Sequence, residues 1–192
     1  MIRTLRHAAL LAATLLASSS AHAQGGRVEV RFPGGKLLPT GDGRGMLADA
    51  PLNAVQVAWR IEPRVAFTGT FAWARGRDLS LAASPKLDLF TTDVGLEFRT
   101  AERQRGARVR YRGFAGFGAG VQVANHRALD RDATHQVAGY AAVGGQLGVG
   151  RLGVRLEVRD YLTGLRAVLG APGASRNDIV VLASVSLARP SR

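Results

Sequence analysis

Gly148, Gly150 and Gly153 stand in GVGRLG, a GxGxxG spacing. Such glycines let a turn approach a pyrophosphate when a strand leads in, a helix leads out, and an acid about twenty residues on holds the ribose. Here the following stretch is RLGVRLEVRD, Arg151–Asp160, and no acid stands at 171–173. Leu152, Val154, Leu156 and Val158 alternate with Gly153, Arg155, Glu157 and Arg159, a period of two that makes a strand and not a helix. The GxGxxG therefore reads as a turn between strands. A second group is His126 and His135 with Asp130 and Asp132 between them. These are metal-ligating types, but the run lacks the fixed ligand spacing of a metal site and reads as a solvated polar loop. His7 and His22 fall in the N-terminal leader described below.

A third group is larger and more specific. Glu29, Arg31, Arg60, Glu62, Glu97, Arg99, Arg108, Arg110, Arg112, Arg155, Glu157 and Arg159 all sit on the charged side of alternating stretches. Lys36 and Lys86 are the only lysines. Arginine is the cation suited to forked pairing with carboxylates away from water. Two chemistries follow. An Arg/Glu salt-bridge network would fill a narrow interior. Alternatively, because Arg exceeds Glu in the set, the interior would be a small anion-preferring pore.

The elements that must hold these residues all show the same alternation. In Arg27–Phe32, Val28, Val30 and Phe32 oppose Arg27, Glu29 and Arg31. Pro33–Asn53 is rich in Gly and Pro and reads as a long loop. Ala54–Glu62 and Val65–Ala74 alternate again, with a tight turn at Glu62-Pro63-Arg64 between them. Arg75–Asp88 is a second long loop, Leu89–Thr100 a strand, and Ala101–Gly106 a short turn. Ala107–Ala124 and Thr134–Val149 flank a third long loop, Asn125–Ala133; Gly150 turns into Arg151–Asp160. Thr163–Asn177 is a fourth long loop, and Asp178–Ala188 is the last strand, with Ser184 and Ser186 on its inward side.

About eight strands thus alternate long and short connections. The expected fold class is all-β: an eight-stranded antiparallel up-and-down transmembrane β-barrel, with short turns at one end and long loops at the other. Trp59, Phe98 and Tyr111 share the apolar parity near the short turns; Phe71, Trp73 and Phe90 share it near the long loops. Two aromatic belts at two membrane interfaces fit that pattern. Glycines inside strands, such as Gly118 and Gly144, are expected to leave room for large lumen neighbours.

The leader sets the address. Met1–His7 carries Arg3 and Arg6, Ala8–Ala17 is apolar, and Ser18–Ala23 ends in Ala21-His22-Ala23. This is a signal peptide, residues 1–23, cut after Ala23, followed by a barrel domain at 24–192. The chain has no Cys, which removes disulfides, thiolate metal ligation and a thiol nucleophile together. Its net charge of +12 would suit a nucleic-acid binder, but the exported address argues against that partner.

From the AHA cleavage site through RVEVRF, VRYRGFAGFGAG, VRLEVRDYL and IVVLASVSLA, the chain resembles the small outer-membrane β-barrel superfamily of opacity-type adhesins, lipid A deacylases and minimal porin-like proteins. The resemblance implies outer-membrane localisation in a Gram-negative-type cell. The partners it implies are outer-membrane lipid, lipopolysaccharide and the barrel-assembly machinery. Members typically end on an aromatic residue, whereas this chain ends LARPSR. Deacylases of the group use a His and a Ser two residues apart with a Glu; here Arg127-Ala128 follows His126, so that nucleophile is missing. The expectation is a non-enzymatic structural or surface-interaction protein, with no catalytic residue, cofactor or metal. The alternatives are the anion-preferring pore, a lipid-modifying enzyme, and an exported soluble β-barrel binding protein.

Overall fold

The computed structural model describes residues 27–106, 109–126, 132–149, 152–164 and 175–187. Residues 1–26, where a signal peptide cut after Ala23 is expected, and the final ARPSR lie outside them. The alternating stretches are strands: β1 (Val28–Arg31), β2 (Gly34–Pro39), β3 (Ala50–Glu62), β4 (Val65–Arg77), β5 (Lys86–Arg99), β6 (Arg103–Arg105), β7 (Val109–His126), β8 (Thr134–Val149), β9 (Leu152–Thr163) and β10 (Arg176–Leu187). Val, Phe, Tyr and Trp, types that fit a pleated sheet, supply many of the large outward positions, with Leu beside them.

Every named pairing is antiparallel, and the sheet closes on itself. The order runs β3-β2-β10-β9-β8-β7-β5-β4, and β4 returns to β3. β1 and β2 share one place in the wall, both pairing with β3, through Val28↔Trp59 and Gly34↔Asn53. β6 is a short ribbon on β7 at the short-turn end. The wall is therefore an eight-stranded up-and-down barrel. Closure satisfies the backbone along the wall, which is what permits strands to cross a bilayer.

Pro33–Asn53 is strand at both its ends, where the sequence suggested a loop throughout. β2 occupies Gly34–Pro39, and β3 begins at Ala50. Gly35 is needed there, because a Cβ would collide with the Val181 carbonyl of β10. Its loop character in the sequence reflects close backbone approach at the seam of the barrel. The true connection is confined to Thr40–Asp49 and holds a 3-10 turn at Gly41–Gly45. β4 likewise continues to Arg77, β5 starts at Lys86 and β7 reaches His126. Arg176 opens β10, and its side chain faces inward instead of lying in the fourth loop.

Candidate functional site

The barrel is built with its polarity reversed from that of a water-soluble protein. Val57, Trp59, Phe67, Phe71, Val94, Phe98, Phe117, Val143, Leu156 and Val185 are among the large apolar side chains left exposed on the wall, Val185 at 70%. Arg159, by contrast, is 1% exposed. A belt of that extent on a monomer marks a surface that meets another apolar phase. The aromatics fall at the two edges of this belt. Near the long-loop end, Phe90 stacks with Phe71 and Trp73 at centroid distances of 6.3 and 6.4 Å. Arg75 lies 4.5 Å over the Trp73 ring and pairs with Asp88. Near the short turns, Phe98 stacks on Phe117 at 6.0 Å, and Trp59 and Tyr111 are exposed.

Inside, the middle of the lumen is an ion network. Arg31 forks onto Glu29, with Nε to Oε1 at 3.0 Å and Nη2 to Oε2 at 2.8 Å, and donates through Nη1 to Glu97 and Gln56. Arg99 donates to Glu97 at 2.6 Å and to Glu29 at 3.3 Å. Arg155 donates to Glu97 at 2.6 Å and to Glu157 at 2.8 Å. Arg159 binds Glu157, reaches both oxygens of Asp93 at 3.2 Å, and donates to Tyr161 and Thr70. Tyr161 in turn donates to Asp93 at 2.6 Å. Four guanidinium groups thus meet four carboxylates. Among the described residues Arg155 Nη1 has no hydrogen-bond acceptor, and the guanidinium carbon lies 3.3 Å over the Phe114 ring in a cation–π contact.

Of the twelve charged residues singled out in the sequence, Glu29, Arg31, Glu97, Arg99, Arg155, Glu157 and Arg159 meet in this network, and Arg112 approaches its edge, 3.8 Å from Glu29. Arg110 faces the inner mouth, 4.0 Å from Glu102. Arg60 is half-buried, and a register shift between Arg60 and Glu62 turns Glu62 out beside the hairpin, where it is exposed. Arg108 lies outside the described residues. Asp93, Tyr161, Gln56 and Thr70 complete the network without having been singled out. Tyr161 keeps the parity of Arg159 one step on, and Asp93 that of Glu97 two steps back past Gly95, so continuing the alternation along each strand finds both.

Glycines on β7 and β8 make this packing possible. A Cβ at Gly118 would strike the Tyr140 ring, and one at Gly144 the Phe114 ring. Toward the long-loop end the lumen turns apolar. Leu37, Leu47, Ala50, Leu52, Leu87, Leu89, Val180 and Leu182 form one buried cluster with Tyr140 and Tyr161. Arg176 pairs with Asp178 beside it and donates to Gln122 at 2.6 Å. The cavities left within the network and under this cap are about 10 Å³ each, near the lower limit for a single water.

At the long-loop end, His126 Nε2 lies 2.8 Å from Asp78 Oδ2, and Ser80 donates to Asp78 Oδ1 from both its amide and its hydroxyl. His135 and Asp132 are exposed, and Asp130 is outside the described residues. No group of three or more metal-ligating side chains converges among the described residues. Ser184 lies in the lumen opposite Arg155, far along the barrel from His126, which pairs with Leu87. At the short-turn end a cavity of about 190 Å³ opens below the network, lined by Glu102, Arg110, Tyr111, Arg112, Gln146, Gly148, Leu152 and Gly153.

No family model matches the chain, and no curated protein matches its sequence. Solved structures do. The N-terminal β-barrel domain of Pseudomonas aeruginosa OprF is similar at 10% identity, over 84% of this chain and 99% of that one, with a TM-score of 0.47. Neisserial surface protein A is similar at 8% identity over 83% and 98%, with a TM-score of 0.48. Ail of Yersinia pestis, in complex with the heparin analogue sucrose octasulfate, is similar at 10% identity over 83% and 98%, with a TM-score of 0.42. These neighbours are small outer-membrane β-barrels. The fold stated above rests on this chain's own strand closure.

Proposed function

We propose that this protein is an outer-membrane barrel of a Gram-negative-type envelope, with a structural or surface-interaction role. The observation that carries the reading is the inverted polarity: a belt of exposed Val, Leu and aromatic side chains around a buried, charge-balanced interior. Water would penalise such a belt by roughly 25 cal/mol for each Å² of apolar surface, whereas a bilayer core accepts it. The aromatic stacks at the belt's two edges suit the two headgroup levels. In this reading the long loops face outward and the short turns face the periplasm, and the contacting partners are outer-membrane lipid, lipopolysaccharide and the assembly machinery.

The lumen supports a closed rather than conducting barrel, because network and apolar cap together fill it. A non-enzymatic role is supported by the separation of Ser184 from His126, and by Ser80 donating its proton toward Asp78 and not toward an imidazole. Cell fractionation tests the reading. The protein is expected in the outer-membrane fraction, heat-modifiable on gels; recovery from the periplasm without detergent overturns it. Unchanged lipid A mass in cells with and without the protein is expected, and a lost acyl chain would replace the non-enzymatic role.

A further inference from the structure

We propose that the cavity at the short-turn end is a binding site for a small oxyanion, a phosphate or carboxylate group, held by Arg112 and Arg110. This goes beyond the barrel's place in the membrane and does not depend on it.

Shape comes first. Gly148 of β8 and Gly153 of β9 are paired directly, and both have inward parity. With no side chain on either, the wall recedes and leaves about 190 Å³, against about 10 Å³ for the space between Gln56, Glu97, Glu157 and Arg159 above. A Cβ on Gly148 would meet nothing nearer than 3.7 Å, and what it would meet is the guanidinium of Arg110. Above it, among the described residues, the spaces under the apolar cap and within the network are about 10 Å³ each. The space is a blind pocket rather than the vestibule of a pore.

Charge comes second. In the central network Arg31, Arg99, Arg155 and Arg159 are matched one for one by Glu29, Glu97, Glu157 and Asp93. Arg112 is the fifth cation and falls outside that balance. Its Nε and Nη2 both donate to Oε1 of Gln146, at 2.9 and 2.5 Å, an acceptor that carries no charge. Its approach to a carboxylate is 3.8 Å, to a Glu29 already shared by Arg31 and Arg99. Arg110 adds a second cation, opposed by Glu102 at 4.0 Å on a half-exposed rim. Arg103 and Arg105 of β6 stand at the same end. A half-enclosed pocket with a net positive lining concentrates anions, and Gln146 engages the Nε and Nη2 donors of Arg112 and fixes the guanidinium plane, leaving Nη1 as the donor toward an oxyanion.

Calorimetry on the refolded barrel in neutral detergent at low ionic strength tests the site. Inorganic phosphate and acetate serve as separate probes, which tells a phosphate source from a carboxylate source. Wild type is expected to take up one of the two saturably with one ion per barrel. Arg112→Gln is expected to bind about tenfold more weakly, the loss of one charge-assisted pair. Gly148→Leu keeps both arginines and fills the space, and is expected to abolish uptake. Arg75→Gln, on the outer rim, is expected to leave it unchanged. Heat-modifiable mobility on gels shows which variants are folded; should Arg112→Gln fail to fold, Gly148→Leu decides alone. Wild type showing no saturable uptake of either ion overturns the proposal. So does wild-type affinity in Gly148→Leu, or an equal loss in Arg75→Gln, which would mean diffuse attraction instead of a pocket.

Discussion

Arg155 of β9 reaches across the lumen to Glu97 of β5, Nη2 to Oε2 at 2.6 Å, although β7 and β8 separate the two strands along the wall. The bond spans the interior instead of running between neighbours. Glu97 also accepts from Arg31 and Arg99, so one carboxylate ties together three strands that do not all adjoin.

Removing that carboxylate leaves three buried cations short of an acceptor. Glu97→Ala should lower unfolding stability by roughly 3–5 kcal/mol, as does breaking a buried pair, and Glu157→Ala by a similar amount. Glu102→Ala, on an exposed 4.0 Å contact, should cost about 0–1 kcal/mol. Urea unfolding in detergent measures all three. Equal effects would mean that the network is wet and weakly coupled.

The outward face gives a complementary expectation. Leu156→Arg or Val143→Arg should destabilise the barrel in bilayers by about 2–4 kcal/mol at the midplane. Arg44→Ala, in the exposed 3-10 turn, should stay within about 0.5 kcal/mol. Folding titrations into lipid vesicles distinguish the two classes, and a mild Leu156→Arg would contradict its lipid exposure.

The middle of each strand was legible in the sequence because there the two faces differ most: Val154, Leu156 and Val158 outside against Arg155, Glu157 and Arg159 inside. The outer halves were hidden for a physical reason. Under the apolar cap both faces are apolar or small, as at Leu52 and Val55, Leu87 and Phe90, or Val180 and Val181, and the period of two fades. Gly34 and Gly35 looked like loop residues, yet both lie in β2, and Gly35 lets that strand lie against β10. The charge balance was equally concealed. Arg outnumbers Glu in the alternating set, which pointed toward an anion path; Asp93 supplies the fourth carboxylate of the network. The fork of Arg112 on Gln146 depends on cross-strand register, which parity alone does not provide.

The outer mouth should respond to acid. Burial pushes the Asp78 carboxyl up, but hydrogen bonds from Ser80 and His126 outweigh it and hold the group below its ordinary value. A carboxylate depressed on folding contributes stability that is present above its unfolded pKa, about 4, and lost as pH falls through the lower folded value. Protection of the Ser80 amide, which donates to Asp78 at 2.9 Å, should therefore fall below about pH 4. Hydrogen exchange across that range should show the drop in wild type and little change in Asp78→Asn. An unchanged profile in wild type would contradict the contribution of this pair.

Topology has its own test. Arg44 is exposed in the turn between β2 and β3, and Arg103 and Arg105 are exposed at the opposite end. Trypsin added to intact cells should cut after Arg44 and spare Arg103 and Arg105 until the envelope is opened. The reverse order would mean that the barrel is inserted upside down.

The closed interior is the claim on which the account turns, and single-barrel current recording in planar bilayers tests it most directly. The native protein, inserted and shown to be folded by its heat-modifiable mobility, should give no discrete conductance steps, because the four-by-four ion network and the apolar cap fill the lumen among the described residues, with spaces of about 10 Å³ in each. Reproducible steps with anion preference in the native barrel would show an open path through these arginines and would contradict the plugged lumen.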